Sequence, residues 1–217
     1  MTASGQRGFT LVEVLIALGI TAFVSMIAYT SISTVITSVA TLRDNGDRAI
    51  EINRAWAILS RDLREFAPRP VRDEFGDTEP ALAGGRANRF LLSLSRAGWH
   101  NPHGHPRSNL QRINYRLEDD ELLRDSYFVL DRAGDTEAQT VVLLEGVEDM
   151  QLAFLGSLEQ IRFESRSTNV DTANWAEDWV TDTSNPEAVP QPPQAVEIRL
   201  QLQDWGEMRR IYALPPL

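Results

Sequence analysis

A chain of 217 residues has room for one substantial domain, or for one such domain and a membrane anchor. Its formal net charge is −10, with 31 acidic residues against 21 basic ones that are all Arg. Such a surface repels phosphate and anionic headgroups, so nucleic acid is not an expected partner and any membrane contact should come from apolar burial. There is no Cys, which excludes disulfides, thiolate metal sites, cysteine nucleophiles and lipid attachment through Cys.

The first eight residues, MTASGQRG, are polar with a single Arg, and Phe9 to Tyr29 is then almost wholly apolar. At about 1.5 Å per residue, that stretch makes a helix roughly 31 Å long, close to the hydrocarbon thickness of a bilayer. No A-x-A-type cleavage site follows it, so it is expected to stay on the chain as a single transmembrane pass. Two details set it apart from a plain anchor. Arg7-Gly8-Phe9 is a basic–small–aromatic junction at the head of the apolar run. Glu13 puts a carboxylate inside the run. That costs on the order of 3 kcal/mol at mid-membrane and less near an interface, so Glu13 either reaches headgroup water or meets a partner.

Gly8-Phe9-Thr10-Leu11-Val12-Glu13 resembles the processing site of type IV pilins and of the pseudopilins of type II secretion systems. It has the brief basic leader, the Gly–Phe junction and Glu at the fifth position after the cut. The resemblance implies that a prepilin peptidase removes residues 1–8 and N-methylates Phe9, leaving 9–29 as the transmembrane helix. It also implies a role for Glu13: its carboxylate meets the new α-amine of a neighbouring subunit, a pair that contributes register more than net stability. The N-terminus then lies in the cytoplasm and the C-terminal domain in the periplasm of a Gram-negative bacterium. Arg7, Arg43 and Arg48 flank the span too unevenly for charge counting to decide orientation.

Beyond the membrane the helix is expected to extend over residues 30–66. Ile32, Val35, Ile36, Val39 and Leu42 recur at helical spacing and form an apolar stripe for a partner helix. Arg43-Asp44-Asn45-Gly46-Asp47 predicts a break, kink or frayed turn, because a mid-helix Gly costs about 1 kcal/mol against Ala. Helix resumes over Ala49 to Phe66, with Ile52, Trp56, Leu59, Leu63 and Phe66 on a core face and Arg54, Arg61, Asp62, Arg64 and Glu65 on other faces. Pro68 and Pro70 end it.

Residues 67–217 then read as a β-rich globular domain. Arg72 to Arg86 is a loop. Strands are predicted over Arg89–Ser95, Gln111–Leu117, Leu122–Leu130, Thr140–Leu144, Met150–Phe154, Ile161–Glu164, Ala195–Gln203 and Met208–Leu214. Glu118–Glu121 is a hairpin turn, and residues 165–193 are a long polar loop. The fold class is therefore α+β: a pilin-like long N-terminal helix, membrane-spanning in its first half, packed on a sheet-rich domain.

Several blocks resemble, in their order, the minor pseudopilin J family of type II secretion. They are Gly98-Trp99-His100-Asn101-Pro102, Pro106-Arg107-Ser108-Asn109-Leu110-Gln111-Arg112, Tyr115-Arg116-Leu117, Leu122-Leu123-Arg124, Leu130-Asp131, Trp175 with Trp179, and Pro193-Gln194-Ala195-Val196-Glu197. His100 stands where that family commonly carries Arg. The resemblance implies a helix packed on β-sheets. It also implies a place near the tip of a short pseudopilus in the company of minor pseudopilins I and K, supporting export of folded proteins.

Other clusters promise less. His100, His103 and His105 sit in a Pro- and Gly-bearing loop with no Cys or acidic ligand at metal spacing, so no metal is expected. Asp171, Glu177, Asp178 and Asp182 lack a calcium-loop spacing and read as a solvated loop pinned by Trp175 and Trp179. No nucleophile motif is present, so neither catalysis nor a cofactor is expected. Two alternatives share parts of this pattern. A minor pilin of a type IV pilus would have the same N-terminus, and a membrane-tethered periplasmic binding domain would leave Glu13 unexplained.

Overall fold

The computed structural model describes residues 8–100, 102, 104, 107–163, 169–180 and 191–215. The chain forms two compact units, Met1–Ile50 and Glu51–Leu217. One helix, α1 (Leu11–Arg64), contributes to both. The predicted break at Arg43–Asp47 does not occur; these residues are helical. An exposed Gly costs a helix only about 1 kcal/mol. Arg43 with Asp47, and Asp44 with Arg48, are opposite charges at i,i+4 spacing that offset part of it.

Among the described residues of the second unit there are twelve strands, all paired antiparallel. They are β1 (Val71–Arg72), β2 (Thr78–Glu79), β3 (Leu82–Gly84), β4 (Leu92–Arg96), β5 (Gln111–Glu118), β6 (Glu121–Ser126), β7 (Gln139–Glu145), β8 (Val147–Leu155), β9 (Arg162–Phe163), β10 (Val170–Asp171), β11 (Ala195–Leu202) and β12 (Gly206–Ala213). A five-stranded sheet runs β3-β4-β5-β6-β7 and a three-stranded one β12-β11-β8, with β1-β2 and β10-β9 as small pairs. The expected hairpin turn is built on Asp119 and Asp120, both left-handed at φ 51° and 60°, which suits the twist of a two-residue turn.

Sequence-level boundaries shift where tertiary contacts intervene. Arg89–Leu91 is not strand, because Gly85 N–H takes the Leu91 carbonyl at 2.8 Å and folds 85–91 into a turn. The strand predicted to reach Leu130 stops at Ser126. Arg72–Arg86, expected as plain loop, carries β1, β2 and β3. The helix ends at Arg64, and Phe66 is instead bridged to Arg96 of β4. Gly98-Trp99 and Arg107, part of the family-like blocks, are structural: Trp99 N–H takes the Asn109 carbonyl at 3.0 Å, and the Arg107 guanidinium stacks on the Trp99 ring.

Ile52, Ala55, Trp56, Leu59 and Leu63 of α1 are buried together with Leu92, Leu94, Ile113 and Leu122 of the larger sheet and Met150, Leu152, Phe154, Val196, Ile198 and Leu200 of the smaller. The helical spacing of 3 and 4 and the strand spacing of 2 turn both sets inward. Asp62 departs from the expected polar face: it is wholly buried. Its carboxylate accepts from Arg96 Nη1 at 2.9 Å, Arg124 Nε at 2.6 Å and the Tyr115 hydroxyl at 2.6 Å. Arg96 also donates to Glu65 at 2.8 Å. Burial, and next the charge of Asp62, hold the Tyr115 hydroxyl well above its ordinary pKa, so it remains a donor. Burial acts to lower the Arg124 pKa, but the hydrogen bond and charge of Asp62 outweigh it and raise the value.

The predicted polar loop between β9 and β11 also contributes to the architecture. Ala176 exchanges backbone hydrogen bonds with Phe154 of β8 at 2.7 and 3.1 Å, and Trp179 does so with Gly84 of β3 at 3.1 and 2.8 Å. Residues 172–179 thus form a strap between an edge of each sheet. Trp175 packs beneath it on Ala153, Leu155 and Ala195. Gly85, at φ +102°, lies so close to the strap that a Cβ would come within 2.2 Å of Asp178 Oδ1 and 2.5 Å of the Glu177 carbonyl.

Three outcomes are expected. Asp62→Asn removes the one carboxylate shared by the buried Arg96 and the part-buried Arg124, leaves Arg96 with Glu65 alone, and should lower stability to urea by about 3 kcal/mol. Tyr115→Phe, which loses one charge-assisted hydrogen bond, should cost about 1.5–3 kcal/mol. Gly85→Ala should loosen the strap and expose residues 172–179 to limited proteolysis while the urea midpoint falls modestly; unchanged cleavage would show that the strap does not depend on this close approach.

Candidate assembly interface

The N-terminal unit carries every residue singled out for assembly. Thr10 and Glu13 close a capping box. The Thr10 backbone N–H and hydroxyl donate to Glu13 Oε2 at 2.9 and 3.0 Å, and the Glu13 N–H donates back to Thr10 Oγ1 at 3.3 Å. First-turn donors of a helix have no intrahelical partner, and the T-x-x-E spacing satisfies two of them reciprocally. Thr10 is therefore the partner that holds the Glu13 carboxylate within the chain, which a reading centred on Glu13 alone misses, although the spacing was there to find it. Both donations fall on Oε2. Among the described residues Oε1 accepts none. Phe9, Glu13, Ala17 and Thr21 share the lining of an apolar groove of about 380 Å³.

From Gly8 to Asp47 every residue is exposed. The five stripe residues Ile32, Val35, Ile36, Val39 and Leu42 are among them. The intervening polar residues are less polar than their composition suggests. The hydroxyls of Thr21, Thr30, Thr34, Thr37 and Thr41 each donate to a carbonyl three or four residues back, at 2.7 to 3.2 Å. This back-bonding spends their donors inside the helix. The outcome is a helix long and apolar enough to cross a membrane, continued by an apolar stripe.

The remaining candidates lie elsewhere. Residues 1–7 of the leader, Arg7 among them, and His103, His105 and Asp182 fall outside the described residues. Among the described residues, no three His, Asp or Glu side chains gather as a metal site. Asp178 instead accepts from the Ala87 N–H at 2.9 Å, and Asp171 from the Ala173 N–H at 3.0 Å. The strap carrying Glu177 and Asp178 is pinned by its Trp side chains, as expected, and by backbone pairing that the sequence did not announce.

Residues 30–214 match the family described as type II secretion system (T2SS), protein J. The chain belongs to the type II secretion system protein J family. Residues 3–29 match the prokaryotic N-terminal methylation motif. Type II secretion system protein J of Vibrio cholerae is 31% identical over 95% of this chain and 86% of its own length. That of Escherichia coli is 31% identical over 96% of each. Among solved structures, a chain of the GspK–GspI–GspJ complex from enterotoxigenic Escherichia coli is 28% identical. It superposes with a TM-score of 0.61 over 78% of this chain and 99% of its own length. Protein J is a minor pseudopilin, a structural member of the secretion system, and its apolar N-terminal helix is the membrane anchor.

Because the stripe is solvent-exposed, charge placed there should leave folding alone. Val35→Asp and Val39→Asp should shift the urea transition, followed by Trp fluorescence, by less than about 0.5 kcal/mol. Ile52→Asp, which buries an unpaired carboxylate, should cost more than about 4 kcal/mol. Equal losses for the two classes would place the stripe in the folding core.

Proposed function

We propose that this protein J is cut between Gly8 and Phe9, N-methylated on Phe9, and built into an inner-membrane pseudopilus near its tip with minor pseudopilins I and K. There it works by binding, not catalysis, and its periplasmic domain supports export of folded proteins. The reading is carried by the Gly8–Glu13 segment at the head of an exposed apolar helix. The methylation-motif match over residues 3–29 supports the processing step. The GspK–GspI–GspJ complex supports the choice of partners. The protein J match over residues 30–214 favours secretion over a type IV pilus or a tethered binding domain.

The chemistry is a change of partner for one carboxylate. Before assembly, Glu13 is held by its own Thr10. Cleavage creates a cationic α-amine on Phe9. In a stack of subunits, that amine of one chain meets the Glu13 carboxylate of the next, so each charge is neutralised where the dielectric is low. The match of one amine to one carboxylate sets the axial register. The stripe from Ile32 to Leu42 then packs against a neighbouring helix, at about 25 cal/mol per Å² of apolar area removed from water.

In cells that contain prepilin peptidase, the intact mass should correspond to a chain that starts at Phe9 and carries one added methyl group. A chain still beginning at Met1 there would overturn the processing step. Glu13→Gln should be processed normally yet lose cross-links to neighbours and at least tenfold in secretion. Val35→Asp should reduce co-purification with I and K from detergent-solubilised membranes. If both variants assemble and secrete like the parent, the interface lies elsewhere.

A further inference from the structure

The two larger sheets have four edge strands. β3 and β7 border the five-stranded sheet, and β12 and β8 the three-stranded one. Three of these edges are closed or blunted. The strap pairs with β3 at Gly84, through Trp179, and with β8 at Phe154, through Ala176. β12 carries Glu207, Arg209 and Arg210, and charged side chains keep an edge strand from pairing with other chains. β7 has neither protection. Among the described residues β6 is its only partner, and its sequence, QTVVLLE, has no Pro and no charge before Glu145.

Gln139, Thr140, Val141 and Val142 are exposed. Val142 lies opposite Leu123 and Val141 opposite Arg124, and neighbouring residues of a strand point to opposite faces. Each face of the edge therefore shows a valine, 44% exposed at Val141 and 45% at Val142. The register slips between Leu122 and Leu123, so Leu143 bulges and ends the straight stretch. Gln139–Val142 remains, roughly 14 Å of edge at about 3.4 Å per residue. Alternate residues along it turn N–H and C=O outward, enough for about four hydrogen bonds to an added antiparallel strand.

The charges around this stretch select what can be added. Asp135 and Glu137 stand before it and Glu145 and Glu148 after it, with Glu121 of β6 opposite Glu145. The nearby arginines are taken up inside the domain. Arg124 is held by Asp62 at 2.6 Å, Arg116 by Asp125 at 2.9 Å and by Glu118, and Arg132 by Glu79 at 2.7 Å. Arg61 of α1 also lies beside Asp62, at 3.6 Å. Both ends of the edge are thus acidic. A second β7 laid antiparallel about Val141 would put Glu137 against Glu145, and one laid parallel would put each against its own copy. Like charges directly opposite are destabilising, so self-pairing is opposed in either direction.

We propose that β7 is a docking edge for one extended strand of a different protein. That strand is uncharged and β-branched over about four residues, with Lys or Arg just outside both ends. Backbone hydrogen bonds hold it, Val141 and Val142 meet its side chains on the two faces, and the acidic ends choose its flanks. This contact goes beyond the helix-mediated assembly proposed above, because β7 shares no residue with the N-terminal unit.

The test is fluorescence anisotropy of a labelled probe peptide, Lys-Arg-Thr-Val-Thr-Val-Arg-Lys-amide, titrated with the full-length protein in detergent micelles. One twin of the probe has Glu in place of all the basic residues. A second has all of its Thr and Val amides N-methylated, which removes the backbone donors and leaves the charge. The basic probe should bind at least about tenfold tighter than either twin. Val142→Lys should weaken it about tenfold and Glu137→Lys at least about threefold, each with the parent urea transition. Val142→Cys places a single thiol in a chain without Cys and should form no disulfide-linked dimer on oxidation. Glu13→Gln should bind the probe like the parent, so failure of the helix contact and failure of this edge are read separately. No binding, a methylated or acidic twin as tight as the basic probe, indifference to both Lys substitutions, or a Val142→Cys dimer, which would seat a second copy on β7, would each overturn the proposal.

Discussion

The globular unit hangs on one buried carboxylate. Asp62 sits on the inward face of α1 among Trp56, Leu59 and Leu63, where an unpaired charge would be prohibitive. Arg96 comes from β4, Arg124 from β6 and Tyr115 from β5 between them. Three adjacent strands therefore converge on one side chain. Apolar packing is tolerant of small slides and rotations. A carboxylate with three donors in fixed directions is not, so the network sets where along the helix the sheet must dock. The backbone repeats the instruction next door, with Ala67 N–H on the Ser95 carbonyl at 2.9 Å and Ala97 N–H on the Glu65 carbonyl at 2.7 Å.

Once the larger sheet is placed, the smaller one is held at two margins. At one, the strap pairs with β8 through Ala176 and with β3 through Trp179, while the Phe154 ring packs so tightly over Gly84 that a Cβ there would meet it at 2.6 Å. At the other, three hairpin turns are sewn together. Val147 N–H takes the Asp120 carbonyl at 2.8 Å, Gln203 N–H takes that of Gly146 at 3.0 Å, and Gln203 Nε2 reaches Asp120 Oδ2 at 3.1 Å. Both sheets keep polar residues on their outer faces and bury them with ion pairs. Glu197, for example, is held by Arg199 at 2.9 Å, by the Thr172 hydroxyl at 3.0 Å and by Arg209.

The N-terminal unit follows the opposite rule. Among the described residues its apolar side chains from Phe9 to Leu42 are exposed, and the hydrogen bonds of the Thr10–Glu13 box and the back-bonded threonines are made within the helix itself. Such a helix is saturated in hydrogen bonds and unsaturated in packing. Its remaining stabilisation is available only from lipid and from neighbouring helices. That is the physical content of being an assembly subunit, and it separates the part of the chain that folds alone from the part that completes itself in company.

The sequence alone determined what depends on local pattern. The apolar run from Phe9 to Tyr29, the Gly8–Glu13 segment, the helical core face of Ile52, Trp56, Leu59 and Leu63, and the alternation of Ala195 to Gln203 were all legible, because membrane length and the periods 3.6 and 2 are written along the chain. Tertiary structure decided what depends on residues far apart in sequence. The buried role of Asp62 needs strands 34 to 62 residues away. The strands hidden in Arg72–Arg86 and the pairing of residues 172–179 exist only because another sheet edge or outer face is there to receive them. Gly46 shows the same division inside a helix: local propensity predicted a break, and a cost of about 1 kcal/mol proved too small to stop a helix continuous on both sides. Periodicity reports which face of an element is apolar. It carries no information on which distant charge will lie opposite a buried one, since that is set by how the elements pack.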